Sequence, residues 1–269
     1  MTTPRLVATD LDGTIVPWNA PITDRTISTL RAVESLGVPV VFVTGRPVRW
    51  MTEVAELTGN TGTAICANGA VLYDLHDRRI VETFPIAIEA GLDVARRLRD
   101  ALPDVAFAVE TLEGFAHESS YQPRWDIGRA RAVANLEEIY DTPAIKLLMR
   151  HESLGPDELL ATAQEVVGEL VEVTHSSTSG LLEISATGVS KATSLAIVCE
   201  QRGIDREDVV AFGDMPNDLA MLAWAGTAYA VEGAHPDVLD AVERRVAPPE
   251  DDGVARELEQ LFGLGGGPG

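Results

Sequence analysis

The sequence predicts an α/β protein: a doubly wound parallel-sheet core interrupted by an inserted α+β segment. Three observations carry this. Short β-branched or aliphatic runs alternate with helical patterns over the first third of the chain. Between residues 84 and 185 the alternation gives way to paired strands beside helices. From about residue 188 the alternation returns. A chain of 269 residues has room for one large domain or two modest ones. The core is expected over 1–83 and 186–269, and the insertion over 84–185.

Residues 5–9 read as a short buried strand. Thr23 is a good N-cap for a helix carrying Ile27, Leu30, Val33 and Leu36, with Gly37 as its stop. "VPVVFVTG" at 38–45 is a continuous apolar run, as in a parallel strand covered on both faces. A helix follows Pro47 and closes at Gly59, and "TAICANGAVLYD" reads as strand, Asn-Gly turn and strand. In the insertion we expect a helix near 87–101, strands near 105–118, and a loop with Tyr121, Pro123 and Trp125. A helix near 129–138, a strand at 144–149, a helix after Pro156 and two strands before Ser185 complete it. The last part reads as a helix from Ser190, the strand "DVVAFG", a helix from Pro216, the strand "TAYAV" and a last helix to about 262. The tail "GLGGGPG" reads as unstructured.

Composition excludes several classes. The chain is 45% hydrophobic and 23% charged, ordinary for a globular protein, with a mostly aliphatic core because aromatics are only 5%. A formal net charge of −21 argues against nucleic acid and against an anionic membrane surface. No apolar run is long enough to span a bilayer, and the N-terminal residues lack the apolar stretch of a signal peptide. Cys66 and Cys199 are far apart and form no CxxC pair; they read as reduced thiols of a cytoplasmic protein.

In an open α/β sheet, ligands bind outside the carboxyl ends of the strands. Asp10 and Asp12 end the first strand, Thr44, Gly45 and Arg46 the second, and Asp214 the strand "VVAFG", with Asn217 and Asp218 just beyond. Lys191 opens the helix before that strand. Parallel neighbours would bring all of these to one crevice. Carboxylates converging with nothing between them repel, and a divalent cation removes the problem. Oxygen ligands without His or Cys favour Mg²⁺. Thr44 and the amides after it could cradle an anion, and Lys191 would neutralise remaining charge. Each piece has a plainer reading taken alone: a solvated Asp-Gly turn, a strand end, a surface lysine, a helix cap at Asp214.

"DLDGT" at 10–14, "VTGR" at 43–46, "GVSK" at 188–191 and "GDMPND" at 213–218 resemble, in order, the four motifs of the haloacid dehalogenase-like (HAD) phosphatases. "ANGA" at 67–70 and the insertion resemble the Cof-type branch with a type II (IIB) cap. The resemblance covers essentially the whole chain. It implies a Rossmann-like core, a separate α/β cap for substrate specificity, and Mg²⁺-dependent hydrolysis of a small phosphorylated metabolite. It implies Asp10 as nucleophile and Asp12 as general acid and then base. Asp10, the Asp12 carbonyl and Asp214 would hold the metal; Thr44, Gly45, Lys191 and Asn217 the phosphate; Asp218 would support the metal site or Lys191. Ala192 and Gly233 stand where many relatives have Gly and Asn. A monomer or weak homodimer is expected.

Other readings are open at this point. Type II-capped relatives include sugar phosphomutases, which the acids at 10 and 12 do not separate from phosphatases. A sensor of phosphorylated ligands would not need both acids. A serine hydrolase built on "GVSKA" would use Ser190, Asp214 and His235, but Ala192 replaces the last glycine and no strand runs directly into the motif. No glycine stands where a P-loop needs one before Lys191. In the insertion, His117, Tyr121, Arg124, Trp125 and Lys146 could face a substrate; the plainer reading packs Tyr121 and Trp125 and leaves Lys146 solvated.

Overall fold

The structure, a computed structural model, describes residues 3–123 and 130–264. Arg124 and Trp125, the first residue of the helix expected near 129–138, and the last five residues of the tail lie outside the described residues. The chain divides into two compact units, Met1–Glu82 with Ser190–Gly269, and Thr83–Val189.

The first half of the first unit runs β1 (Leu6–Thr9), α1 (Asp24–Ser35), β2 (Val40–Val43), α2 (Met51–Thr58), β3 (Thr63–Cys66), β4 (Val71–Asp74) and β5 (Arg79–Thr83). The second unit holds α3 (Ile88–Ala101), β6 (Ala106–Glu110), β7 (Phe115–Glu118), β8 (Arg131–Val133), β9 (Lys146–Arg150), α4 (Pro156–Val167), β10 (Val171–Thr174) and β11 (Leu181–Ala186). The first unit resumes with α5 (Lys191–Arg202), β12 (Val209–Gly213), α6 (Leu219–Trp224), β13 (Thr227–Val231), α7 (Pro236–Ala241), β14 (Arg244–Val246) and α8 (Gly253–Phe262).

The sheet of the first unit has the order β14-β13-β12-β1-β2-β3-β4-β5. β12, β1, β2 and β3 pair in parallel, as do β12, β13 and β14. β4 turns back, antiparallel to β3 across the Asn68-Gly69 turn. β1, β2 and β12 are buried along their whole length, which is what strands covered on both faces require. Their side chains are aliphatic or aromatic, and full burial of each Leu, Val or Phe contributes about 1.5–3 kcal/mol. β1 lies between β12 and β2, where the chain order reverses, so a crevice opens at its carboxyl end. Caps fix the helices around it: Thr23 Oγ1 accepts from Thr26 N–H at the start of α1, and Ser190 caps α5.

The second unit is a six-stranded sheet of order β10-β11-β9-β6-β7-β8, antiparallel except where β8 runs beside β7. Residue alternation gives the sheet two unlike faces. One packs on α3 and α4 through Phe107, Leu147, Met149 and Ile184 against Val94, Leu98 and Leu159. The other carries Ala108, Phe115, Tyr121 and Leu148, with Lys146, Arg150, Glu110 and Glu183 all buried. The expectation that Lys146 is solvated is therefore corrected: it is 4% exposed and its ammonium binds Glu183. Tyr121 packs, as the plainer reading had it, against Phe115.

The expected helix near 129–138 is also corrected. Arg131–Val133 pair with β7 as an edge strand, and Leu136–Glu138 form a single 3₁₀ turn started by Asn135. Leu136, Ile139 and Tyr140 have helical spacing and are buried, but the pattern spans one turn only. β5, α7 and β14 were not anticipated. "RIVET" and "RRV" are largely exposed edge strands and show no clean alternation. Among the described residues no helix is long and apolar enough to cross a membrane.

Candidate active site

The site is built where β1 ends. Asp10 N–H extends the parallel ladder by donating to Phe212 C=O (3.0 Å), which fixes the carboxylate's root beside β12. The chain then coils tightly: Leu11 C=O accepts from Thr14, Ile15 and Val16, and Gly13 N–H donates to Val16 C=O. Gly13 has φ +82°, and a Cβ there would lie 2.2 Å from Asp214 Oδ2. Only glycine lets the backbone turn left-handed while the Asp214 carboxylate rests against it. Thr14 Oγ1 donates to Asp214 Oδ1 at 2.9 Å, so the loop after β1 positions the acid after β12.

Asp10, Asp214 and Asp218 converge, with one carboxylate oxygen from each within 4.8 Å of the others and all three side chains buried. Lys191, 1% exposed at the first turn of α5, donates to Asp10 Oδ1 and to Asp218 Oδ1, each at 2.6 Å. Asp218 Oδ2 accepts the amides of Asp214 and Met215 at 3.0 and 3.1 Å, tying the loop after β12. Burial pushes the Asp10 carboxyl well above the usual range, against the pull of Lys191, with Asp218 and Asp214 adding to the rise. Asp214 is pushed up to about 7, by burial first and then by Asp218, with the Thr14 bond opposing. Lys191 is raised: burial works against its charge, but Asp10 and Asp218 outweigh it. Three carboxylates face one ammonium, and the donor set is oxygen only. That set fits a hard divalent cation such as Mg²⁺.

Asp12 is held apart from this cluster. Its two oxygens accept from Arg46 Nε (2.8 Å) and Nη2 (2.5 Å), a bidentate pair at the mouth of the second strand-end loop. Thr44 is buried; its Oγ1 accepts from Arg46 N–H at 3.0 Å, which takes that amide into the turn and out of any anion cradle. Thr44 N–H is likewise used, in the ladder to Ile65. Gly45 sits between them in the same turn. Asn217 is buried, and its Nδ2 donates to Asn68 Oδ1 at 3.1 Å. The structure therefore gathers Asp10, Asp214, Asp218 and Lys191 into one buried cluster, and holds Asp12, Thr44 and Asn217 through Arg46 and Asn68. Sequence reasoning missed Thr14, the clamp role of Arg46, and Asn68. Thr14, Arg46 and Asn68 all lie inside quoted motifs, so position was legible but partner was not. Ser190 Oγ accepts from Thr193 N–H as an N-cap, which leaves the serine-hydrolase reading without support.

An α/β protein with an acid-rich crevice at the switch point of its sheet is a class with many members. Comparison makes it particular. Residues 7–258 match the haloacid dehalogenase-like hydrolase family, and the chain belongs to that family, in its Cof-type branch. It is a hydrolase whose named relatives are phosphatases. The chain is 26% identical over 275 residues to the 5-amino-6-(5-phospho-D-ribitylamino)uracil phosphatase YitU of Bacillus subtilis, covering 98% of this chain and 99% of that one. It is 28% identical over 272 residues to the pyridoxal phosphate phosphatase YbhA of Escherichia coli, covering 97% and 98%. The solved HAD subclass IIB sugar phosphatase BT4131 superposes with a TM-score of 0.79 at 21% identity, over 97% of this chain and 99% of that one, and shows the same fold.

Proposed function

We propose that this enzyme hydrolyses a small phosphomonoester, a sugar phosphate or related metabolite, through an aspartyl phosphate on Asp10. One Asp10 oxygen attacks phosphorus and the ester P–O bond breaks, while Asp12 gives the leaving alkoxide a proton. Asp12 then takes a proton from water, the water oxygen attacks phosphorus, and the P–O bond to Asp10 breaks. Lys191 stabilises charge on the phosphoryl oxygens, and Thr44, Gly45 and Asn217 position them. Mg²⁺, held by Asp10, the Asp12 carbonyl and Asp214, supplies neutralising charge when bound. Asp218 holds Lys191 in place. Residues 84–185 select the substrate. The reduced, buried thiols of Cys66 and Cys199 suit a cytoplasmic enzyme.

The observation that carries this reading is the surplus of buried carboxylate around Lys191 at the end of β1. The relatives support the class and not the substrate: at 26% and 28% identity, two of them are named for a ribitylaminouracil phosphate and for pyridoxal phosphate. The test separates the two acids of β1. Asp10→Asn is expected to form no phosphoenzyme and to lose about 10⁴-fold or more in kcat/KM. Asp12→Asn is expected to lose about 10²–10⁴-fold with alkyl phosphates, less with aryl phosphates, and to accumulate phosphorylated Asp10. Mass spectrometry after quenched flow reads both. Label on the Asp10→Asn protein would refute the assignment.

A further inference from the structure

The Asn68-Gly69 turn between β3 and β4 is strained, buried and tied to two other loops of the site and to α5. Ala67, Asn68 and Gly69 have φ of +51°, +58° and +111° in succession. Left-handed backbone at consecutive positions is costly for residues other than glycine, and such strain persists where surroundings enforce it. Here they do. Asn68 N–H donates to Thr44 C=O and Ala67 N–H to Arg46 C=O, each at 3.0 Å. Gly69 C=O accepts from Ser194 Oγ at 2.7 Å, and a Cβ on Gly69 would lie 2.3 Å from Ser190 C=O, beside Lys191. Asn217 Nδ2 reaches Asn68 Oδ1 from the loop after β12.

A turn of this kind needs only a residue that tolerates left-handed backbone, and glycine would serve better. Asn68 brings a carboxamide instead, 3% exposed, whose Nδ2 has no hydrogen-bond partner. Asn217, 8% exposed, likewise leaves its Oδ1 without one. Two buried amides thus share one hydrogen bond and leave a donor open. Turning both amides over would exchange which residue offers the donor and leave the couple with one. A buried open donor is unfavourable unless something completes it. Thr44 and Ser190-Lys191, against which this turn is pinned, are where the proposed function puts an anionic oxygen.

We propose that Asn68 is a phosphate-binding residue of this site, acting as a couple with Asn217. The Asn68 carbonyl fixes the Asn217 amide, and the couple gives its open N–H₂ to a phosphoryl oxygen. This rests on the phosphatase reading above and adds a ligand group outside the four ordered motifs at 10–14, 43–46, 188–191 and 213–218.

Two variants separate the amide from the bend. Asn68→Gly keeps the left-handed turn and deletes the amide. Asn68→Asp keeps an acceptor for Asn217 Nδ2, removes the donor and adds negative charge. Titration calorimetry of the Mg²⁺-loaded full chain with inorganic phosphate is expected to show affinity about tenfold to a hundredfold weaker in Asn68→Gly, the range for a lost hydrogen bond to a charged group. Asn68→Asp is expected to lose more. The melting temperature of Asn68→Gly should stay close to or above the wild type, since glycine relieves strain. Asn217→Ala should add little to Asn68→Gly in the double variant. Phosphate binding within twofold of wild type in Asn68→Gly and Asn68→Asp would overturn the assignment alone. Wild-type protein that neither binds phosphate nor turns over any phosphomonoester would overturn the phosphatase reading and this one with it.

Discussion

Both units bury charged side chains, and they balance them differently. In the second unit Lys146 binds Glu183, whose other oxygen accepts from Ser176 Oγ at 2.8 Å. Glu110 lies opposite Lys146 in the β6–β9 register, and the Arg150 guanidinium sits 5.5 Å from the Tyr121 ring centroid. Lys146 and Arg150 share this buried face with Glu110 and Glu183, two cations with two acids. At the end of β1, one Lys191 meets Asp10 and Asp218, with Asp214 beside them. A buried cluster whose charges balance needs no further counter-ion. An unbalanced one is complete only with a ligand, so the imbalance, and not burial, separates the site from scaffold.

The largest effects come from breaking each cluster by the same change. Removing one partner of a buried ion pair typically costs about 3–5 kcal/mol, because the other charge is left uncompensated. Lys191→Met and Lys146→Met should both lower the melting temperature strongly in EDTA at pH 8. Excess Mg²⁺ should restore much of the loss in Lys191→Met and none in Lys146→Met. The paired change Lys146→Met/Glu183→Leu should recover most of the stability that Lys146→Met loses. Activity should fall about 10²–10³-fold in Lys191→Met even with Mg²⁺ present. Equal rescue of both single variants by Mg²⁺, followed by differential scanning fluorimetry, would erase the contrast between the two clusters.

The same contrast explains what was legible in the sequence. Parallel strands deliver their last residues to one edge, so Asp10, Thr44 and Asp214 could be placed from strand ends alone, and Lys191 from the start of the next helix. Partners were another matter. Arg46 finds Asp12 across the β1–β2 edge, 34 positions away, and nothing in "VTGR" says which acid it takes. Asn68 read as a turn signal because its conformational role is local, while its amide acts on a loop 149 positions on. In the second unit, the strands expected near 105–118 and at 144–149 correspond to β6, β7 and β9. The residue pattern did not give β8, three residues held by pairing at an edge, nor the burial of Lys146, which depends on Glu183 from another strand.

A second, smaller effect follows from Asp214. Its carboxyl titrates near 7 in the fold against an ordinary 3.8, because burial and Asp218 disfavour its charge. A carboxyl raised on folding binds its proton more tightly in the native state. Its contribution to stability is complete below the unfolded value and is lost as pH rises through 7. The metal-free protein should therefore lose about 2 kcal/mol from this source between pH 5 and pH 8. Asp214→Asn keeps an acceptor for Thr14 and carries no charge, so it should overtake the wild type at pH 8 in EDTA. The expected gap is about 4–8 °C, shrinking toward pH 5. Mg²⁺ should raise the wild-type melting temperature more at pH 8 than at pH 5.5, since the cation must displace the proton. A gap independent of pH would place the titration elsewhere.

The smallest effect on stability, and the sharpest on chemistry, is expected at the one ion pair of the site that is open to solvent. Arg46 and Asp12 are 22% and 34% exposed as side chains, so the pair contributes at most about 1 kcal/mol despite its bidentate geometry. Arg46→Ala should accordingly leave the melting temperature within a few degrees of wild type, with or without Mg²⁺. The clamp nonetheless fixes where the Asp12 carboxyl points, and proton transfer depends on that direction. Freed from Arg46, Asp12 keeps its chemistry and loses its aim. Hydrolysis of alkyl phosphates, whose leaving group needs the proton, should drop about tenfold to a hundredfold. Aryl phosphates, which leave readily as anions, should lose less in the first step. Arg46→Lys keeps a cation without the planar fork and should recover only part of the alkyl rate. A plot of log kcat/KM against leaving-group pKa should therefore steepen from wild type through Arg46→Lys to Arg46→Ala, while melting temperatures stay level. Parallel plots with a uniform offset would mean that Arg46 binds substrate rather than orienting Asp12.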